Sequence, residues 1–353
     1  MQPIKFALIG AGNIAKIYLD AFSKIADAQV TVICNRTEST GRPLAAQANA
    51  VWTADFADAV TREDVDAVVI ATPSGTHAEI AIAAAQAGKH LLVEKPIDIT
   101  LPRVDSIIAA AEDAGVILAC VFPLRFAAGV AKVKEAVDTG RLGRITLADC
   151  YVKWFRPQSY YDGNWRGTWE LDGGGALMNQ SIHNIDLLQY LAGPVKNVFG
   201  RTATLAHEME TEDTASAVLT FENGALGVIQ GPRAAGPAIR PAPNFTATGV
   251  IVIEEGQIAK WDLQDTSDEE KQAMLTLEKQ DGSGAADPMA IGSEKHRRQI
   301  VDLIDAIRNG RPPAIQGAEA RRSVEIIRAL LTRPREKAGW LRLNDGYLPP
   351  NRR

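Results

Sequence analysis

A glycine-rich segment directly behind a short apolar run constrains the fold of this chain more than any other feature. The run Ile4–Ile9 is followed by Gly10-Ala11-Gly12-Asn13-Ile14-Ala15, which opens a helical stretch to about Lys24. Glycine at the first two positions allows a tight turn and a close backbone approach to a phosphate, whose charge the helix N-terminus favours. Alanine at the third position is a tolerated variant where helix packs on strand. The segment is therefore predicted to bind the pyrophosphate of a dinucleotide through Gly10, Gly12, Asn13 and Ile14.

Apolar runs alternate with alanine-rich helical stretches from residue 3 to about residue 122. The runs have the pattern of buried parallel strands: Ile4–Ile9, Val30–Cys34, Ala67–Ala71, His90–Glu94 and Ile117–Phe122. This alternation predicts an α/β fold with a doubly wound parallel sheet, a Rossmann domain over residues 1–122. A purely structural glycine turn in another α/β protein is the alternative.

The pattern changes after Arg125. Longer strands are predicted at Thr146–Trp154, Val198–Leu205, Thr214–Phe221 and Leu226–Gln230, and helices at about Gly129–Thr139, Ala176–Leu191 and His296–Arg308. Asn223-Gly224 is a strong hairpin signal. Residues 123–353 are therefore predicted to form an α+β domain for substrate binding and oligomerisation, with a large open, mostly antiparallel sheet and a C-terminal helix that packs back on the first domain. Residues 232–248, with four prolines, are either an irregular loop or a sequence error.

Composition excludes several classes of protein. A net charge of −5 argues against nucleic-acid binding, and no apolar stretch approaches the roughly 20 residues that span a bilayer. The N-terminus lacks the pattern of a secretory signal, so a cytoplasmic location is expected. The three cysteines are odd in number and far apart, and the apolar runs around Cys34 and Cys120 indicate reduced core residues.

The end of the second strand bears on the choice of coenzyme. An acid there would bind the ribose 2′-hydroxyl of NAD, but this chain has Asn35-Arg36-Thr37. The guanidinium of Arg36 could pair with a 2′-phosphate, which favours NADP over NAD. The alternative is a solvent-facing Arg36 that only stacks on adenine.

Two later strand ends carry further polar residues. The segment from Thr72 to His77 includes Pro73 and Ser74 and is expected to border the cofactor, although His77 could simply cap the next helix. Glu94-Lys95-Pro96 ends the next predicted strand. Its lysine is either a solvated charge or an active-site donor, and its position favours the donor.

A helical segment in the second domain places three polar residues at spacings i, i+4 and i+7. Asn179, His183 and Asp186 follow the triplet Gly173-Gly174-Gly175 and are expected to share one helix face. A histidine there suits proton transfer, and the alternative is a core histidine bonded to its helix neighbours. No metal is expected, because the other histidines lie in unrelated segments, and no serine-nucleophile elbow is present.

Together these residues resemble the glucose-fructose oxidoreductase, inositol dehydrogenase and MocA-type (Gfo/Idh/MocA) family over nearly the whole chain. The similarity rests on the glycine motif, Glu94-Lys95-Pro96, Trp165-Arg166 and the stretch from Gly173 to Asp186. It implies that Lys95 holds the reacting oxygen, that His183 exchanges the proton, and that the bond before Pro96 is cis. It also implies cofactor contacts from residues 72–77, Glu94, Trp165 and Arg166. Many relatives have aspartate where this chain has Asn179, which puts a proton relay there in doubt.

The expected substrate is a sugar, a cyclic polyol or a derivative, because aromatic residues crowd the region. These residues are Trp154, Tyr160, Tyr161, Trp165 and Trp169. Substrate contacts are expected from Lys95, Arg125, Lys153, Arg156, Asn179, His183 and Asp186; solvated strand faces are the alternative for Arg125, Lys153 and Arg156. Two other functions stay open: a redox-silent sensor that binds NAD(P), and a lyase or glycosidase that oxidises its sugar only transiently. The resemblance suggests a homodimer or homotetramer packed through the open sheet face.

Overall fold

Buried apolar strands build the first sheet of the computed structural model, which describes residues 2–231, 242–246, 249–277 and 292–331. Its six strands are parallel, in the order β3-β2-β1-β4-β5-β6. They are β1 (Ile4–Ile9), β2 (Ala28–Cys34), β3 (Val51–Thr53), β4 (Ala67–Ile70), β5 (His90–Val93) and β6 (Leu118–Cys120). The predicted doubly wound sheet is confirmed. In this sheet only β3 was missed, because Val51–Thr53 is exposed to half-buried and gives no buried apolar run.

Helices cover both faces of this sheet, as parallel strands require. They are α1 (Asn13–Ser23), α2 (Glu38–Ala48), α3 (Phe56–Thr61), α4 (His77–Gln86) and α5 (Leu101–Asp113). The β4 residues Val68, Val69 and Ile70 are all fully buried, which explains why the strand is a continuous apolar run.

The second sheet has seven strands in the order β13-β12-β11-β7-β10-β9-β8. They are β7 (Leu147–Tyr151), β8 (Val195–Ala203), β9 (Thr214–Phe221), β10 (Leu226–Gln230), β11 (Ala242–Thr246), β12 (Gly249–Glu254) and β13 (Gln257–Leu263). All neighbouring pairs are antiparallel except β7 with β10. The predicted Asn-Gly hairpin joins β9 to β10, where Gly224 has a φ of +83°.

The helices of the second half are α6 (Ala128–Asp138), α7 (Ile182–Ala192), α8 (Asp268–Leu275), α9 (Glu294–Asn309) and α10 (Gly317–Leu331). Helix α7 packs on β7 and β11 and covers one face of the sheet, whereas on the other face Phe199, Val218 and Leu226 are exposed as far as the described residues go. Helix α9 packs against α1 of the first domain, where His296 meets the edge of Tyr18. The predicted single helix Ala176–Leu191 begins instead as a π-helix, Ala176–Ser181, and only then becomes α7.

Three sequence expectations have simple structural outcomes. The proline-rich segment 232–248 lies mostly outside the described residues; within it, 242–246 form β11. All three cysteines are buried and unpaired with one another. None of the helices in the described ranges combines the length and apolar composition that crossing a bilayer requires.

Candidate active site

The glycine motif forms a tight corner between β1 and α1. Gly10 has a φ of +111°, and a Cβ there would lie 2.3 Å from the carbonyl oxygen of Ala71, so only glycine fits. A Cβ on Gly12 would meet none of the described atoms within 4 Å. Helix α1 begins at Asn13 without a side-chain cap, so its first amides, including that of Ile14, lie at this corner. The corner fits a dinucleotide pyrophosphate, because it offers backbone amides and helix-dipole charge without a side chain in the way.

The polar residues after β2 differ in whether they have hydrogen-bond or ion-pair partners. Asn35 donates its side-chain amide within its own turn. Arg42 stacks on Trp52, 4.6 Å from the ring centre, and forms an ion pair with Glu38. Arg36 is exposed, and the described part of the chain offers it no hydrogen bond or ion pair. Arg36 is thus the available cation at the strand end where a ribose-binding acid would stand.

The loop after β4 is held by its histidine. His77 is buried, and its ring nitrogens lie 2.9 Å from the carbonyl oxygen of Pro96 and 3.0 Å from that of Thr72. Burial lowers the pKa of His77. Pro73 and the short 3-10 helix Ser74–Thr76 complete the loop. Both nitrogens of His77 therefore join two loops, and the geometry does not support its expected contact with the cofactor.

Glu94 lies at the carboxyl end of β5 with its side chain buried. Its Oε1 accepts a hydrogen bond of 2.8 Å from the hydroxyl of Tyr18, and its Oε2 accepts one from the backbone amide of Lys95. Burial raises the pKa of Glu94, while the charge of Lys95 opposes that shift. The carboxyl group thus anchors the Glu-Lys-Pro segment to α1, next to the dinucleotide corner.

Lys95 and His183, from different domains, meet in one place. The bond between Lys95 and Pro96 is cis, as the family resemblance implied. The Lys95 ammonium donates to the backbone carbonyl of Asn179 at 2.7 Å, one helical turn before His183. The His183 ring packs edge-on against Phe122, and its Nδ1 is buried without a hydrogen-bond partner among the described residues. Burial and the charge of Lys95 hold the pKa of His183 well below its ordinary value.

The glycine triplet explains how the turn that carries Asn179 is held. A Cβ on Gly175 would lie 1.8 Å from the backbone oxygen of Glu212, so the chain must be glycine there. The Glu212 carboxylate accepts hydrogen bonds of 2.9 Å from the amides of Gly175 and Leu177. A carboxylate at this end of the π-helix is favoured by the helix dipole.

Arg125 and Asp186 bind each other and are not available to a substrate beside His183. The Arg125 guanidinium donates to both Asp186 oxygens, at 2.7 and 2.8 Å, and to Glu319 at 3.0 Å. Asp186 is completely buried, and burial raises its pKa while the charge of Arg125 opposes the shift. Asp186 still lies one turn after His183 on α7, but its charge is bound by Arg125. Substrate contacts from Arg125 and Asp186 are therefore not supported, because a buried charge must be paired.

An aromatic cleft is formed mainly by the segment that leads into Asp172 and the glycine triplet. It has a volume of about 770 Å³ and is lined by Asp162, Gly163, Asn164, Trp165, Thr168, Trp169, Glu170, Leu171 and Glu210. The Arg166 guanidinium lies 5.2 Å from the Trp165 ring centre. The amide of Gly75 donates to the carbonyl oxygen of Leu171 at 2.8 Å. The cleft thus borders the loop that follows β4 at the carboxyl edge of the first sheet.

Two of the four expected basic substrate contacts, Lys153 and Arg156, lie close to aromatic rings. The Lys153 ammonium lies 5.7 Å from the ring centre of Tyr151. Arg156 is 6% exposed and lies 5.4 Å from the Trp154 ring centre and 5.7 Å from that of Tyr160. Both cations therefore lie just after β7, close to aromatic side chains. Lys153 is half-buried and Arg156 is buried.

Sequence reasoning missed three polar residues of this region. Tyr18 holds Glu94, Glu212 caps the π-helix, and Asp172 accepts a hydrogen bond from the side-chain amide of Asn179. The position of Asp172 directly before the glycine triplet was the one available signal. Tyr18 and Glu212 gave none, because their partners are 76 and 35 residues away.

Comparison with known proteins agrees with this architecture. A model of the oxidoreductase family with an NAD-binding Rossmann fold matches residues 4–122, and one of the GFO/IDH/MocA C-terminal domain matches residues 130–258. The uncharacterized oxidoreductase YrbE of Bacillus subtilis is 31% identical over 240 residues, covering 66% of this chain and 68% of the relative. A myo-inositol 2-dehydrogenase of Thermotoga maritima is 27% identical over 333 residues, covering 90% of this chain and 92% of the relative.

Solved structures extend the similarity to three dimensions. The WlbA dehydrogenase from Bordetella pertussis, in complex with NADH and UDP-GlcNAcA, has a TM-score of 0.83 at 31% identity and covers 93% of this chain and 95% of its own. The domain order, the glycine corner and both matched family models agree. The chain therefore belongs to the Gfo/Idh/MocA family of NAD-binding oxidoreductases.

Proposed function

We propose that this protein transfers hydride between a nicotinamide coenzyme and a CHOH or C=O group of a sugar, a cyclic polyol or a sugar derivative. The observation that carries the proposal is the contact of the Lys95 ammonium with the Asn179 carbonyl, one turn before His183. It brings a cation and an imidazole from two domains together at the carboxyl edge of the dinucleotide-binding sheet. When bound, the nicotinamide ring supplies the carbon that accepts or returns the hydride.

The side chains around this contact have complementary roles in oxidation. Because the pKa of His183 is held low, its imidazole is neutral at pH 7 and can accept the proton of the substrate hydroxyl. The Lys95 ammonium stabilises the oxygen as negative charge develops on it. In reduction, His183 returns the proton and Lys95 polarises the carbonyl. Both groups act on the same oxygen, so they must lie on one side of the substrate carbon.

The aromatic cleft supports a sugar or polyol as the substrate. The rings of Trp165 and Trp169 offer apolar surface to the C–H face of a sugar ring, and the carboxylates of Glu170 and Glu210 can accept bonds from hydroxyl groups. The relatives named above act on myo-inositol or bind UDP-GlcNAcA. These two molecules are the natural starting points for a substrate screen.

Turnover with a panel of polyols, sugars and nucleotide sugars tests the proposal. We expect net reduction of NAD⁺ or NADP⁺, seen in the nicotinamide absorbance, with at least one member of the panel. Reduced coenzyme that stays bound while the sugar is cleaved would instead indicate transient oxidation. Coenzyme binding without any redox change across the panel would favour a sensor.

We infer that Arg36 recognises the 2′-phosphate of NADP, because it is an exposed cation without a partner among the described residues. Isothermal titration of the protein and of Arg36→Ala with NADP⁺ and NAD⁺ measures its role. We expect tighter binding of NADP⁺, and a loss of about 10-fold or more for NADP⁺ alone in the variant, since charge-assisted hydrogen bonds contribute about 1.5–3 kcal/mol.

A suitable control for this titration is Arg62→Ala. Arg62 is paired with Asp64 just before β4, at the opposite edge of the sheet. Equal affinity for both coenzymes in wild type and Arg36→Ala would remove the phosphate role and direct the substrate screen to NAD⁺, since the WlbA dehydrogenase complex contains NADH.

The open face of the second sheet supports a homo-oligomer, as the family resemblance implied. Strand register places Phe199 beside Val218, and Leu226 beside Leu147, all on the face away from α7. These four side chains are 37–57% exposed. A contiguous apolar surface of this kind marks an interface, and a second copy of this chain is the occupant we propose.

Val218→Asp is expected to convert the oligomer to monomers, because it buries an unpaired charge in the centre of the interface. Sedimentation velocity at micromolar concentration measures the change. Leu205→Asp is the control, since Leu205 is 73% exposed but lies beyond the end of β8. A wild-type protein that sediments as a monomer would contradict the proposed interface.

A further inference from the structure

Asp172 has both carboxylate oxygens engaged inside the protein. Its Oδ1 accepts a hydrogen bond of 2.8 Å from Nδ2 of Asn179, and its Oδ2 accepts one of 2.8 Å from the backbone amide of Gly167. Asp172 is completely buried. Because the backbone of Gly167 holds one oxygen, the other is presented to Asn179 in a fixed direction.

This contact determines which way the Asn179 amide points. An ionised carboxylate can only accept hydrogen bonds, so the NH₂ group of Asn179 must face Asp172 and the carbonyl oxygen Oδ1 must face elsewhere. In the stretch from Asp172 to Ile182, Asn179 is half-buried and all the other residues are buried. Its backbone carbonyl binds the Lys95 ammonium, and His183 follows one turn later. The partly exposed Asn179 therefore lies beside Lys95, one helical turn before His183.

We propose that Asp172 is a positioning residue that locks the Asn179 amide, so that Oδ1 accepts a hydrogen bond from a substrate hydroxyl. The proposal rests on the proposed function, because it assigns the acceptor of that same site. The pair also accounts for asparagine at position 179. Aspartate there would place two carboxylates within about 3 Å, where both cannot ionise readily.

Exchanging the carboxylate of Asp172 and the amide of Asn179, first singly and then together, tests whether the two side chains act as a pair. Asp172→Asn leaves the amide of Asn179 free to flip, and we expect kcat/KM for the polyol or sugar to fall by about 10- to 100-fold, the effect of a lost charge-assisted hydrogen bond. The dissociation constant for the coenzyme should not change. Asn179→Asp is expected to be similarly impaired, because of the like charges.

The double variant Asp172→Asn/Asn179→Asp restores one carboxylate and one amide and should recover most of the lost kcat/KM. A purely structural role of Asp172 would not produce this rescue. Asp302→Asn is the matched control, because Asp302 likewise accepts from a backbone amide, that of Ala314, and from a side chain, that of Arg311. Thermal unfolding of each variant confirms that it is folded.

A second measurement does not depend on turnover. In Asn179→Asp labelled with ¹³C at the aspartate carboxyl groups, one of the two facing carboxyls should titrate with a pKa raised above its ordinary range, and the double variant should lose that raised value. Wild-type kcat/KM in Asp172→Asn, failure of the exchange to rescue, or ordinary titration in Asn179→Asp would each overturn the proposal. Absence of turnover in the wild type would contradict the proposed function, and the titration would still decide whether the pair exists.

Discussion

Replacing His183 by alanine is expected to lower kcat by about 10²- to 10⁴-fold, because general acid–base catalysis contributes an effect of that size. The coenzyme dissociation constant should stay within about twofold, since the glycine corner around Gly10 and Gly12 lies in the other domain. Steady-state kinetics with the best substrate from the panel, together with coenzyme titration, measures both quantities. A lower kcat with an unchanged coenzyme dissociation constant indicates a lost proton acceptor, whereas a change in both indicates a damaged fold.

The pH dependence of the wild type gives the same prediction a second readout. Oxidation requires neutral His183, so kcat/KM should fall as pH decreases through the pKa of this group. Burial and the charge of Lys95 hold that pKa well below its ordinary value, so the acid limb should lie below about pH 6.5.

His90→Gln is the control for His183→Ala. His90 begins β5, at the amino edge of the first sheet, and its Nδ1 accepts a hydrogen bond from the backbone amide of Ile117. Turnover per folded molecule should be unchanged in this variant. A His183→Ala enzyme that keeps a tenth or more of wild-type kcat would remove the histidine from the proposed mechanism.

Lys95→Met is expected to lower kcat/KM by about 10²- to 10³-fold, the effect of deleting one preorganised donor to a developing oxyanion. Methionine keeps a similar length and apolar stem but loses the charge. The loss should be larger than for Lys153→Met, because the Lys153 ammonium lies over the Tyr151 ring and does not contact the turn before His183.

Lys95→Met is also expected to shift the pH dependence of the activity that remains. The charge of Lys95 lowers the pKa of His183, so its removal should raise that pKa and move the acid limb of the pH profile to higher pH. The same limb in wild type and variant would show that the two side chains do not interact. A variant with unchanged kcat/KM would contradict the role of Lys95.

The first domain was predictable from local patterns. The run Ile4–Ile9 coincides with β1, and the helix behind the glycine motif begins at Asn13, as the motif requires. Such features depend on residues close together in the chain: glycine at a corner, apolar residues in a buried strand, Asn-Gly at a hairpin. The family resemblance added the cis bond before Pro96, which the structure has, and the expectation that Lys95 and His183 serve one site.

The spacing of Asn179, His183 and Asp186 was a less reliable guide. An ideal α-helix would place them on one face, but Asn179 lies in a π-helical turn, which is wound more widely. The carboxylate of Asp186 is then bound by Arg125, 61 residues earlier in the chain. Helical periodicity predicts which residues are neighbours on a helix. It does not predict which residue of another element forms an ion pair with a charged side chain of that helix.

Local sequence thus determined most of the strands and the glycine corner, and together with the family resemblance it pointed to Lys95 and His183 as the candidate reactive side chains. The tertiary structure decided which partners bind the polar residues near them: Tyr18 binds Glu94, Asp172 binds Asn179, and Arg125 binds Asp186. The physical reason is that a buried polar group must find a partner wherever the packed chain supplies one. That partner depends on how sheets and helices come together, so it can lie at any distance along the sequence.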